Sequence, residues 1–241
     1  ISGAIDATNS GNDALTLAAG SAATSVTGVI GGGTSLETLT ISGTGAVTLA
    51  GIGDGDTDGV VGATTVSGSS GTITLNGGTY KTTGTQSYTG NVKLNADTTF
   101  TTSDSDLTFS GSIVGLTSGR DVIVAIGTGD VLFSGAMTSF IGTVDVTAGA
   151  VTVNGGITNG AGSNVEITNS GLFTLGSSNI YTAGTFTQNG TGAVSLSASV
   201  TAVDNDMIFA TDVTCLTPVT FWARTASITF SAGLDCGANQ V

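Results

Sequence analysis

The densest chemistry in the chain is Asp54-Gly-Asp56-Thr-Asp58-Gly59, where carboxylates alternate and a glycine follows. Alternating oxygen ligands followed by a sharp glycine turn make up the first half of a calcium loop. Asp54, Asp56 and Asp58 are the expected ligands, with the Val60 carbonyl a fourth, although Thr65 stands where a bidentate Glu would close the loop. The competing reading is a solvated acidic turn whose charges deter edge pairing. The matching turn further along, Gly155-Gly-Ile-Thr-Asn-Gly160, has no carboxylate, so such a loop is not a property of a repeat unit. Calcium is the one cofactor expected.

Two further acidic turns, Asp104-Ser-Asp106 and Asp204-Asn-Asp206, each precede an apolar strand. Stacked carboxylates could share a cation, but Asp in such turns more often bonds its own backbone two residues on, and that is the expectation here. Catalysis is not expected. There is no His, the four basic residues Lys81, Lys93, Arg120 and Arg224 are scattered, and Glu37 and Glu166 fall in ordinary strand text. Proton abstraction needs a strong base, glycoside hydrolysis needs two carboxyls at a set separation, and no hydroxyl here has a neighbouring activator. Phe221 and Trp222, beside Pro218 and Arg224, form the one dense apolar cluster, read as core or terminal cap, or as a carbohydrate or partner contact.

Composition bounds what could position these residues. The 241 residues include 39 Gly and one Pro, and only 9% are charged. Low charge with ample apolar residues separates the chain from disordered sequences, so it should fold. Thr and Val dominate and suit a half-buried pleated surface. The formal charge of −13 argues against a nucleic-acid partner, which would need clustered Lys and Arg. No run of 18 apolar residues offers a membrane-spanning helix, so no membrane insertion is expected. The chain shows no signal peptide and opens in mid-pattern, which suggests a piece of a longer protein.

The elements themselves are short. Val47-Thr-Leu49, Ile73-Thr-Leu75, Val92-Lys-Leu94, Leu107-Thr-Phe109, Val144-Asp-Val146, Val151-Thr-Val153 and Ile228-Thr-Phe230 all read in-out-in, separated by Gly, Ser, Asn or Thr turns. Triplets cannot stand alone, and stacking them in register about 4.8 Å apart pairs the backbone along the stack. A right-handed parallel β-helix of about 20 residues per coil is therefore expected. An antiparallel sandwich is the alternative, supported by Asn-Gly at Asn76, Asn154, Asn159 and Asn189, but its strands would usually be longer. Cys215 and Cys236, 21 positions apart, would then sit on adjacent coils, close enough for a disulfide in an oxidising setting, or as two buried thiols.

A longer echo overlies this beat. Ile1-Ser-Gly-Ala-Ile-Asp6 matches Phe109-Ser-Gly-Ser-Ile-Val114, with a third version at Phe230-Ser-Ala-Gly-Leu-Asp235. Leu36-Glu-Thr-Leu-Thr-Ile41 likewise matches Ile141-Gly-Thr-Val-Asp-Val146. These matches divide one segment, 1–241, into two degenerate repeats, about 1–108 and 109–229, and a partial third, 230–241.

From Gly77 to Val114, and above all in TTGTQSYTGNVKLNADTTFT, the text resembles the repeats of filamentous-haemagglutinin-like and autotransporter passenger proteins. That resemblance implies export to the bacterial outer surface, a right-handed parallel β-helix, and adhesion, biofilm or surface-layer roles, and it brings no catalytic residues. The expectation is a non-enzymatic, extracellular structural or adhesive segment. It would associate end to end or laterally, into filaments or a surface layer, or meet a host or glycan receptor. The alternative is a carbohydrate-binding or carbohydrate-cleaving β-helix of the tailspike or polysaccharide-lyase kind.

Overall fold

In-out-in triplets have one apolar edge each, and the chain buries nearly all of these edges against one another by coiling, with the end triplet Ile228–Phe230 left partly exposed. The computed structural model describes residues 1–54, 57–117 and 119–238, and among these every element is a strand. The strands stack in parallel as a β-solenoid of about 10 turns with about 21 residues per turn. One turn shows the plan. Leu107–Phe109 lies on a first face, Ile113–Gly115 on a second and Arg120–Ala125 on a third, and Val131–Phe133 returns to the first. Parallel pairing throughout excludes the sandwich, whose hairpins would pair consecutive strands antiparallel.

Register makes the core continuous. On the first face Leu15, Leu39, Thr64, Gln86, Leu107, Val131, Val151, Phe173, Val194, Val213 and Leu234 stand directly over one another. The second face carries a column from Thr24 to Phe221, and the third one from Ile5 to Phe230. Inward aromatics stack along such columns: on the first face Phe109 is near-parallel to Tyr88 and to Phe133, with centroids 5.1 and 5.6 Å away. Phe209 and Phe230 stack similarly at 5.2 Å.

Corners are where side chains run out of room. Gly68, Gly90, Gly111, Gly135 and Gly155 occupy the corner between first and second faces on successive turns. A Cβ on Gly111 would fall on the Gly90 carbonyl, and one on Gly135 or Gly155 on the backbone of the glycine before it. The Phe-Ser-Gly-Ser-Ile motif is thus a corner: an inward aromatic, a tight bend, and the next inward residue.

The long echo has a geometric meaning as well. Leu39 lies on the first face but its counterpart Val144 lies on the third. Four turns carry the column from Leu39 to Val131, and the chain then passes Met137 on the second face before reaching Val144. Val47 and Val151 are displaced in the same way, from second face to first, as are Ile5 and Ile113, from third to second. The matched segments are two-thirds of a turn out of phase, so the echo records that the three faces use one vocabulary. No helix of the described residues is long and apolar enough to cross a membrane.

Candidate functional site

The acidic loop follows Ile52 on the third face, before the chain regains the first face at Thr64, and it closes on itself. The Thr57 N–H donates to Asp54 Oδ1 (2.7 Å), and the Asp54 N–H to the Thr57 carbonyl (3.1 Å). Asp58 is held from the next turn: Lys81 Nζ lies 3.3 Å from Oδ1, and the Thr83 hydroxyl donates to Oδ2 (2.9 Å). The Val60 carbonyl accepts the Thr83 N–H, so it belongs to the ladder. Asp56 lies outside the described residues. A calcium ion here would compete with the Lys81 ammonium and the Thr83 hydroxyl for the Asp58 oxygens, and the described residues contain no group of three acidic, His or Cys side chains placed to hold a metal.

The other acidic turns do not close onto their own backbone as expected; they reach the next turn. Asp104 Oδ1 accepts the Thr128 N–H (2.8 Å) and hydroxyl (3.1 Å), and Asp106 accepts the Asp130 N–H (2.9 Å). Asp130 in turn accepts the Ala150 N–H (2.7 Å), extending the clasp over three turns. Asp206 accepts the Ser227 N–H (3.0 Å), while Asp204 pairs with Arg224 (2.7 Å) and takes the Thr225 hydroxyl (2.8 Å). Asp6, Asp121 and Asp212 behave alike, and Asn91, Asn164 and Asn179 do so with their carbonyl oxygens. The physical reason is that a corner leaves backbone N–H groups unpaired by the strands, and an acceptor one turn away satisfies them while fixing register. Asp104 and Asp204 both sit at φ 57°, a left-handed conformation that Asp tolerates better than most side chains.

Amides serve the same end inside. Gln188 lies in the otherwise apolar inward column of the third face. Its Oε1 accepts from the Ala210 N–H (3.0 Å), and its Nε2 donates to Asn169 Oδ1 (2.8 Å). Gln86 Nε2 donates to the Tyr80 and Thr101 carbonyls (2.9 and 3.0 Å), and its Oε1 accepts the Tyr88 hydroxyl (2.9 Å). Burial pushes both tyrosine hydroxyls well above their ordinary range.

Outside, the first face presents a column of hydroxyls: Thr16, Thr40, Thr65, Ser87 and Thr108, then Leu132, then Thr152, Thr174, Ser195 and Thr214. The third face brings two acids together that sequence reading left apart: Asp145 pairs directly with Glu166 on the next turn. Partial burial, and then the Glu166 charge, raise the Asp145 carboxyl above its ordinary range. The signal that could have found the pair is the matched triplets Val144-Asp-Val146 and Val165-Glu-Ile167, one turn apart. Asn189 donates to Glu166 Oε1 (3.2 Å), which ties Glu166 to the following turn.

At the far end, Cys215 and Cys236 are joined, with Cα atoms 4.4 Å apart. The register just before them, Val213 with Leu234 and Thr214 with Asp235, places the two cysteines on neighbouring turns of one column. Phe221 packs partly against the core, whereas Trp222 points outward and is 46% exposed. No family model, no curated protein and no solved structure matches the chain.

Proposed function

We propose that this β-solenoid is a non-enzymatic structural and adhesive rod of the bacterial cell surface, of the filamentous-haemagglutinin-like kind. The observation that carries the reading is the run of clasps from corner to corner. They tie turn to turn along the axis by hydrogen bonds, charge-assisted where the acceptor is Asp and neutral where it is Asn, a construction suited to spacing and to bearing load. The Cys215–Cys236 bond suits an oxidising, extracellular location. Hydroxyl columns on the outside suit contact with copies of the chain, end to end or side by side, or with a receptor on a host surface. Calcium at Asp54 to Asp58 belongs to the same reading as an accessory ion. It predicts a rise in melting temperature on adding calcium that Asp54→Asn abolishes; an unchanged melting curve removes the ion from the account.

The test of function is display. Cells carrying the chain on their surface should clump or adhere to host-cell or glycan-coated surfaces, and cells displaying an unrelated domain should not. Equal adhesion by both contradicts the adhesive part. Release of new reducing ends from polysaccharides by the purified chain would contradict the non-enzymatic part and favour the lyase or hydrolase alternative.

A further inference from the structure

We propose that Tyr181 and Trp222, with Thr201 between them, form a binding site for an extended, uncharged glycan chain. The three residues are in register on the outward side of the second face, on three successive turns. The chain has three tyrosines and one tryptophan. Tyr80 and Tyr88 are buried in the core, and the remaining tyrosine and the tryptophan share this column at 42% and 46% exposure. Single exposed apolar side chains are ordinary on any protein, but two wide, amphipathic rings aligned on one flat column are a platform. Two turns separate them, roughly 10 Å at the usual strand spacing. One sugar ring cannot lie on both, whereas alternate rings of an extended oligosaccharide can, each placing its C–H face on an aromatic ring, with Thr201 offering a hydroxyl to the ring between.

Charge selects the class of glycan. The outward column is uncharged from Val114 through Thr138 and Thr158 to Trp222. The stacked acids Asp145 and Glu166 lie on a different face, and the chain's net −13 repels polyanions such as uronic acid polymers. The inference deepens the adhesive reading above by naming its ligand class, and rests on that reading for where such a glycan would be met; binding itself is measured on the purified chain.

Trp222 is the only tryptophan, so its emission reports this site alone. Titration with β-linked oligomers of glucose or N-acetylglucosamine should give a saturable emission change, and the free monosaccharides should not. Tyr181→Ala should weaken binding about tenfold or more, the loss expected on truncating a stacked aromatic anchor. Tyr181→Phe should bind nearly as well, and both variants should melt as the parent does. No saturable change with either oligomer overturns the proposal, as does equal binding by Tyr181→Ala or a response to polyuronates alone. An emission change that follows protein concentration without sugar assigns the column to contact between copies and also overturns it. Each of these failures leaves the rod untouched, because the rod is judged by particle shape.

Discussion

Several aspartates at the corners of this solenoid act one turn away from themselves. Asp106, Asp130 and Asp206 each accept a backbone N–H that lies 20 to 24 positions ahead. In the sequence Asp106 and Asp206 read as local turn formers, because an Asx turn and an inter-turn clasp use the same residue in the same context. Only the register tells them apart. Asp145 is different, since it faces outward beside Glu166 and holds its proton more tightly in the folded chain than in the unfolded one. The unfolded state then binds fewer protons between the ordinary carboxylate value and the raised one, so stability falls as pH rises through that window. At neutral pH the penalty is fully present. Asp145→Asn should therefore stabilise the protein by up to ~1 kcal/mol at pH 7, the size of a like-charge pair directly opposed in a sheet. Thermal melts across pH should show that gain vanish below the ordinary carboxylate range; a gain that persists there would place its cause outside ionisation.

At the scale of elements, the triplets were legible as strands: Leu107-Thr-Phe109 and Val151-Thr-Val153 have the inward and outward residues the alternation requires, whereas Ile228-Thr-Phe230, at the end of the stack, is a strand left partly exposed. Their partners were legible only as a class, because any triplet can stack on any other. For that reason the long echo, a real feature of the sequence, joins segments lying on different faces. Gln86 and Gln188 were not legible at all, since a polar residue at an inward position is acceptable only where its neighbours satisfy every donor and acceptor. The corner glycines make the sharpest element-scale prediction. Gly111→Ala puts a methyl on the Gly90 carbonyl and should cost about 1–3 kcal/mol, the usual range for overpacking. Gly3, with open space where its Cβ would stand, is the control, and Gly3→Ala should leave the melting temperature unchanged. Equal melting temperatures for the two variants would mean that the corner has room the stacked backbones do not show.

For the molecule as a whole, stability is a sum over turns and their interfaces, so a local staple should have a local effect. The Cys215–Cys236 bond closes a loop of 21 positions, worth about 3 kcal/mol by loop-closure entropy. Reduction should speed hydrogen exchange in the last turn, at Val213–Cys215 and Ile228–Phe230, while leaving Val131–Phe133 protected. Uniform loss of protection along the chain would show instead that the solenoid unfolds as one unit. The β-helix expected from the triplets, and implied again by the resemblance between Gly77 and Val114, is the solenoid observed, while what that resemblance implies for function is part of the proposal made above. The measurement that tests the structural-rod reading most directly is electron microscopy of the purified chain at neutral pH. About 10 turns at the usual strand spacing make a body roughly 50 Å long, and the account predicts such rods joined into strings or side-by-side arrays. Rounded, separate particles at every protein concentration would contradict it.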